Sequence, residues 1–87
     1  MKILKYPFEV DGEVNIQMPA GARVLTVQVQ YGSPCLWAAV VPEAPIETRS
    51  FRIFATGQKI DIDLTQAQYI GTFPLREGSF IGHLFEI

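Results

Sequence analysis

The stretch Arg23-Val24-Leu25-Thr26-Val27-Gln28-Val29-Gln30-Tyr31, followed by Gly32-Ser33-Pro34 and then Cys35-Leu36-Trp37-Ala38-Ala39-Val40-Val41, decides the fold class. In an extended chain successive side chains point to opposite faces, so Leu25, Val27, Val29 and Tyr31 fall on one side and Val24, Thr26, Gln28 and Gln30 on the other. Gly32-Ser33-Pro34 has turn chemistry. The run Cys35–Val41 is apolar at every position, as expected of a strand covered on both faces at a sheet centre or a subunit interface. Neither run shows a helical period.

Outward from this pair the chain continues in short extended pieces. Lys2–Phe8 reads as a strand whose Pro7 suits an edge or a strand end. Asp11-Gly12 is a two-residue turn signal, and Val14, Ile16 and Met18 alternate with polar residues, so this second strand is expected to return antiparallel to the first. Beyond Pro42–Pro45, Glu47–Thr56 divides into an Arg49/Phe51/Ile53/Ala55 face and a Ser50/Arg52/Phe54/Thr56 face. Ile60–Gln66 reads as a loop with at most one helical turn. Gln68–Leu75 is a strand with a bulge expected at Gly71, and Arg76-Glu77-Gly78 turns into Ser79–Ile87. The prediction is a single all-β domain over residues 1–87, a small antiparallel sandwich or barrel of about six to seven strands.

Composition narrows the classes. With 87 residues the domain has a limited core, and with one cysteine no intramolecular disulfide reinforces it. Oligomerisation is the remaining support for a chain that is 48% hydrophobic, so a homo-oligomer is expected. Seven basic residues are scattered against nine acidic ones, for a formal charge of −2, without the basic stripe that a long nucleic acid requires. One or two guanidiniums still suffice for a small phosphorylated ligand. The N-terminal residues lack the apolar core of a signal peptide, no run is long enough to span a membrane as a helix, and the free cysteine suits a reducing compartment. The expectation is a cytoplasmic protein.

No phosphate loop, HExxH, GxSxG or CxxC is present. Cys35 reads as an inert buried thiol, Asp61 and Asp63 as solvated loop carboxylates, and no metal or cofactor is expected. His83, flanked by Ile81, Phe85 and Ile87, is either a packed imidazole bonded to a carbonyl or carboxylate, or a ring that meets a ligand. Gln28 and Gln30 share a face and carry both donors and acceptors, which suits reading the edge of a base. Arg52, Phe54 and Thr56 share another, where an aromatic beside a guanidinium and a hydroxyl can stack a base and bind a phosphate. With Arg49 and His83 these make the candidate ligand-binding set: Gln28, Gln30, Arg49, Arg52, Phe54, Thr56 and His83. Trp37 is read as core, or as an interface anchor if exposed.

Lys5-Tyr6-Pro7, Met18-Pro19-x-Gly21-Ala22, Leu25-x-Val27-Gln28-x-Gln30, Pro34-Cys35-Leu36-Trp37-Ala38, Arg49-x-Phe51-x-Ile53, Thr56-Gly57, Tyr69-Ile70-Gly71-Thr72-Phe73 and His83-x-Phe85-Glu86 occur in that order. The combination resembles a family of small proteins of unknown function encoded by bacteriophages and by bacteria carrying prophages. It departs at Gln58, where the pattern has a histidine after Thr-Gly. The resemblance implies a phage or prophage source and supplies no activity. By analogy of genomic role, the expected function is that of a non-enzymatic counter-defence protein that sequesters a small anionic signal, a cyclic nucleotide. The alternative is a virion accessory or a module that binds a host or phage protein.

Overall fold

The computed structural model describes residues 1–87 as seven strands in two sheets, with no α-helix. The strands are β1 (Lys2–Pro7), β2 (Glu13–Pro19), β3 (Arg23–Gln30), β4 (Ser33–Val40), β5 (Ile46–Ala55), β6 (Gln68–Leu75) and β7 (Phe80–Glu86). Sheet A has the order β1-β4-β3 and sheet B the order β2-β5-β7-β6, all pairs antiparallel. Of the antiparallel sandwich or barrel expected from the alternation, the chain forms the sandwich. A single 3-10 turn, Leu64–Gln66, interrupts the loop before β6 and is capped by the Asp63 carboxylate, which accepts from the Thr65 amide.

The core is the interleaf of the two sheets: Leu36, Ala38, Val40 and Val27 from sheet A face Val14, Met18, Phe51, Ile53, Phe73 and Leu84 from sheet B. Cys35, Trp37 and Ala39 alternate with the first group and so point outward from sheet A. Cys35 is nonetheless 2% exposed, and Trp37 is half-buried on the outer face, outside the core. The run that reads as apolar on both sides is thus the centre of a sheet with one face in the core.

Three expectations are corrected. Asp11-Gly12 does not close a β1–β2 hairpin. β1 pairs with β4 and β2 with β5, in different sheets, because the intervening segment crosses the end of the core: Phe8 packs edge-on against Phe73, ring centroids 6.1 Å apart. Leu25 and Tyr31 do not share the core face with Val27. A bulge between Val24 and Thr26 turns Val24 inward, leaving Leu25 43% exposed, while Tyr31 at the turn is 96% exposed. The β3–β4 turn is Tyr31-Gly32 rather than Gly32-Ser33-Pro34, since Ser33 already pairs with Gln30.

Both turn residues have positive φ, 53° at Tyr31 and 77° at Gly32, the geometry of a type I′ hairpin. For a non-glycine residue this conformation is strained by about 1 kcal/mol or more, and asparagine tolerates it best after glycine. Tyr31→Asn is therefore expected to raise the unfolding free energy by about 0.5–1 kcal/mol, since the exposed ring gives up no packing. Urea denaturation measures it; a destabilised variant would show that the ring packs in solution.

Candidate functional site

The outer face of sheet B is built by β5, β7 and β6 in register. Phe54 pairs with His83 and Arg52 with Phe85; on the other side of β7, Thr72 pairs with His83 and Tyr69 with Phe85. Directly paired residues project from the same face, so these six side chains form two adjacent rows. The loop after β5 folds beside them. A cavity of about 290 Å³ lies between, lined by Phe54, Ala55, Thr56, Gly57, Gln58, Ile60, His83 and Phe85.

One row is polar. Thr56 Oγ1 lies 2.7 Å from His83 Nε2, His83 Nδ1 lies 3.0 Å from Thr72 Oγ1, and Thr72 Oγ1 in turn bonds the Tyr69 hydroxyl. A neutral imidazole donates from one nitrogen and accepts at the other, so His83 joins two hydroxyls with opposite polarity. It is half-buried and bonds neither a carbonyl nor a carboxylate. Its orienting partners are hydroxyls rather than a carboxylate. The arrangement suits presenting hydrogen bonds to a ligand better than activating a nucleophile.

Beside it lies an aromatic and cationic cluster drawn from both rows. Phe54 meets Phe85 edge-on at 6.1 Å, and Phe85 meets Tyr69 at 5.4 Å. The Arg52 guanidinium lies 4.9 Å from the Phe54 ring centroid and donates to Asp61 Oδ1 at 2.8 Å. Phe54 is only 2% exposed, so Arg52, Phe85 and the loop cover most of its ring; Tyr69, 55% exposed, offers the open aromatic surface. Gln58, which lines the cavity, uses its side-chain oxygen to accept from the Ala55 amide, and this fixes the turn. Gly57, with φ of 88°, permits that tight return.

The sequence-derived set divides three ways. Arg52, Phe54, Thr56 and His83 come together on sheet B. Gln28 and Gln30 lie on the outer face of sheet A, paired with Cys35 and Ser33, on the far side of the sandwich. They do not share a pocket with the Arg52 row within one chain, and Gln30 accepts from Lys5 Nζ at 2.7 Å.

Arg49 lies on neither outer face but at the end of the sandwich, where it lines a second cavity of about 390 Å³ with Ala22, Arg23, Gln68 and Glu86. It closes the end of the core, its Nε and Nη2 donating to both Glu86 oxygens (Nη2–Oε1 3.1 Å) and its Nη1 donating to the Ala22 carbonyl at 2.8 Å. The bond to Glu86 holds its guanidinium above the ordinary arginine pKa range. A side chain so engaged is a structural clamp, not an open anion receptor.

The loop carboxylates also have local partners: Asp61 accepts from Arg52, and Asp63 accepts from the Thr65 hydroxyl and amide, which hold its carboxyl below the usual range. Tyr69, Thr72, Gln58, Ile60 and Phe85 belong to the site without having stood out in the sequence. For Phe85 the signal was its period-two spacing from His83.

No curated protein and no solved structure matches the chain. The description of one family, a domain of unknown function (DUF7352), matches residues 1–87, and the protein belongs to that family.

Proposed function

We propose that the outer face of sheet B binds a small anionic ligand of the nucleotide class, and that the protein acts by withholding this ligand rather than by transforming it. One observation carries the reading. The Thr56–His83 hydroxyl–imidazole pair, the Phe54 and Phe85 rings and the Gln58 side chain line one cavity of about 290 Å³, with the Arg52 guanidinium and the Tyr69 ring beside it on the same face. That volume sits at the lower end of the ~300–1,000 Å³ range of small-molecule sites. It accommodates one base with its phosphate; a cyclic ligand of two or more nucleotides engages a cavity on more than one copy. Arg52 and the Gln58 amide serve the phosphate, Thr56 and His83 the base edge, and Tyr69 and Phe85 its π-face.

In the biological setting we propose, the protein is a phage counter-defence factor, a homo-oligomer in the host cytoplasm that sequesters a cyclic nucleotide signal. The support is the combination of a nucleotide-type site with a net acidic chain that would not retain long nucleic acid.

Thermal melts against cyclic mono-, di- and trinucleotides test this. At one hundred times Kd, binding adds about 2.7 kcal/mol, which raises Tm by roughly 10 °C or more in a domain of this size. His83→Leu and Thr56→Val are each expected to abolish that rise, and the ligand should be recovered chemically unchanged by mass spectrometry. A flat response across the panel removes the reading, and a hydrolysed ligand replaces it with an enzyme.

A further inference from the structure

The outer face of sheet A has a different chemistry and no part in the site above. The strands of sheet A carry Lys2, Lys5 and Arg23 and no carboxylate, so all nine acidic residues of the chain lie elsewhere. Lys2 pairs with the core residue Val40 and belongs to the inner side. Lys5 and Arg23 project outward, Lys5 level with Trp37 and Arg23 level with Ala39. Trp37 is the only tryptophan. It stands between the two cations, with Thr26 as its neighbour on β3. All three ion pairs of the structure involve Arg49 or Arg52, so neither cation on this face is neutralised. Exposed aliphatic side chains lie near it: Ile3, paired with Ala39, is 63% exposed, and Leu25, at the bulge before Thr26, is 43% exposed.

A half-buried indole among exposed aliphatic side chains, with an arginine and a lysine at its margins, has the make-up of a protein interface centre and rim. Charge decides what fits it. A second copy placed face to face would set Lys5 and Arg23 against the same cations with no carboxylate on either side, which is repulsive. A nucleic-acid strand needs a cation for each of several phosphates, and this face offers two, set among aliphatic surface that phosphates avoid.

We propose that the outer face of sheet A docks an extended, acidic segment of another protein, one that presents two carboxylates flanking an apolar side chain. The geometry fixes the spacing. The backbone positions of Lys5 and Arg23 are separated by two strand spacings of ~4.8 Å and by two residues of ~3.4 Å along the strand, about 12 Å on the diagonal. Lys5 Nζ exchanges its bond to the neutral Gln30 Oε1 for the incoming carboxylate. In an extended peptide, residues i, i+2 and i+4 share a face and span about 13 Å. The recognised pattern is therefore acidic-x-apolar-x-acidic, with the apolar side chain on Trp37.

Trp37 reports its own binding site through its emission. Titration with a synthetic peptide containing Glu-Ser-Phe-Ser-Glu is expected to change Trp37 fluorescence saturably at low salt. The same peptide with lysines in place of the glutamates, or serine in place of phenylalanine, is expected to do so at least tenfold more weakly. Arg23→Glu and Lys5→Glu change exposed side chains, so their circular dichroism should match the parent while affinity for the acidic peptide falls tenfold or more. The doubly reversed variant should prefer the lysine peptide. The proposal is overturned if no peptide perturbs Trp37, or if charge reversal leaves the titration unchanged. It is equally overturned if a twelve-residue oligothymidylate is the sole effective probe, or if the emission depends only on protein concentration.

Discussion

Arg49→Leu is expected to lower the unfolding free energy by about 2–3 kcal/mol, while Arg52→Leu costs about 1 kcal/mol or less, although the two arginines lie three residues apart on one strand. The difference is in their surroundings. Arg49 and Glu86 are 19% and 16% exposed, and the guanidinium joins β5, β7 and the β2–β3 turn through Glu86 and the Ala22 carbonyl. Removing it leaves a partly buried carboxylate and a carbonyl without partners. Arg52 makes one ion pair with an Asp61 that is 64% exposed and one stacking contact with Phe54, which are worth little in water.

For a domain of this size the Arg49 change corresponds to a fall in Tm of roughly 10–20 °C. The double variant Arg49→Leu/Glu86→Leu should regain a good part of the loss, because the buried charge disappears with its partner. Equal losses at Arg49 and Arg52 would show that the clamp is not formed in solution.

Gly82→Ala is expected to cost a further site of the core about 2–3 kcal/mol. A β-carbon at residue 82 would stand 2.6 Å from Phe73 Cζ and 3.0 Å from both Phe73 Cε1 and Phe80 Cε2. Phe73 is 1% exposed and packs against Phe8 and Phe80, so its ring has nowhere to retreat without disturbing both. The measurement is denaturant unfolding of Gly82→Ala alone and with Phe73→Leu. The second change should cost less in the alanine background than in the parent, and strict additivity would contradict the steric account.

Much of the fold was legible because each strand declares its faces through period-two alternation. The Arg52/Phe54/Thr56 row followed from that count alone, while the count left His83 open between a packed imidazole and a ring that meets a ligand. Their meeting required knowing that β5 pairs with β7, which nothing local specifies. The same holds for β1 with β4 and β2 with β5: these pairings join distant segments and are selected by how the two inner faces pack.

Tyr69 and Thr72 were hidden for a more specific reason. They are three residues apart, an odd spacing that places them on opposite faces of a regular strand, yet the bulge between Tyr69 and Gly71 brings both to the outer face. The bulge at Val24/Thr26 hides Val24 in the same way: it and Val27 both reach the core. Arg49 drew two readings, since alternation put it on the core face while residue type suggested a ligand contact. The Glu86 that neutralises it lies on another strand.

The order of the strands also determines the route by which the chain can reach this structure. Only β3–β4 and β6–β7 are paired strands joined by short turns, and each can close early as a local hairpin. β1 must find β4, and β2 must find β5, across long intervening segments, so both wait until a template exists. Folding on the millisecond-to-second scale is expected, as for other domains dominated by non-local pairing. During that interval the free edges of β4 and β5 are exposed. The two N-terminal strands are then the last to be secured during folding and the first to be lost during unfolding, and hydrogen exchange should find their amides the least protected of the strand amides.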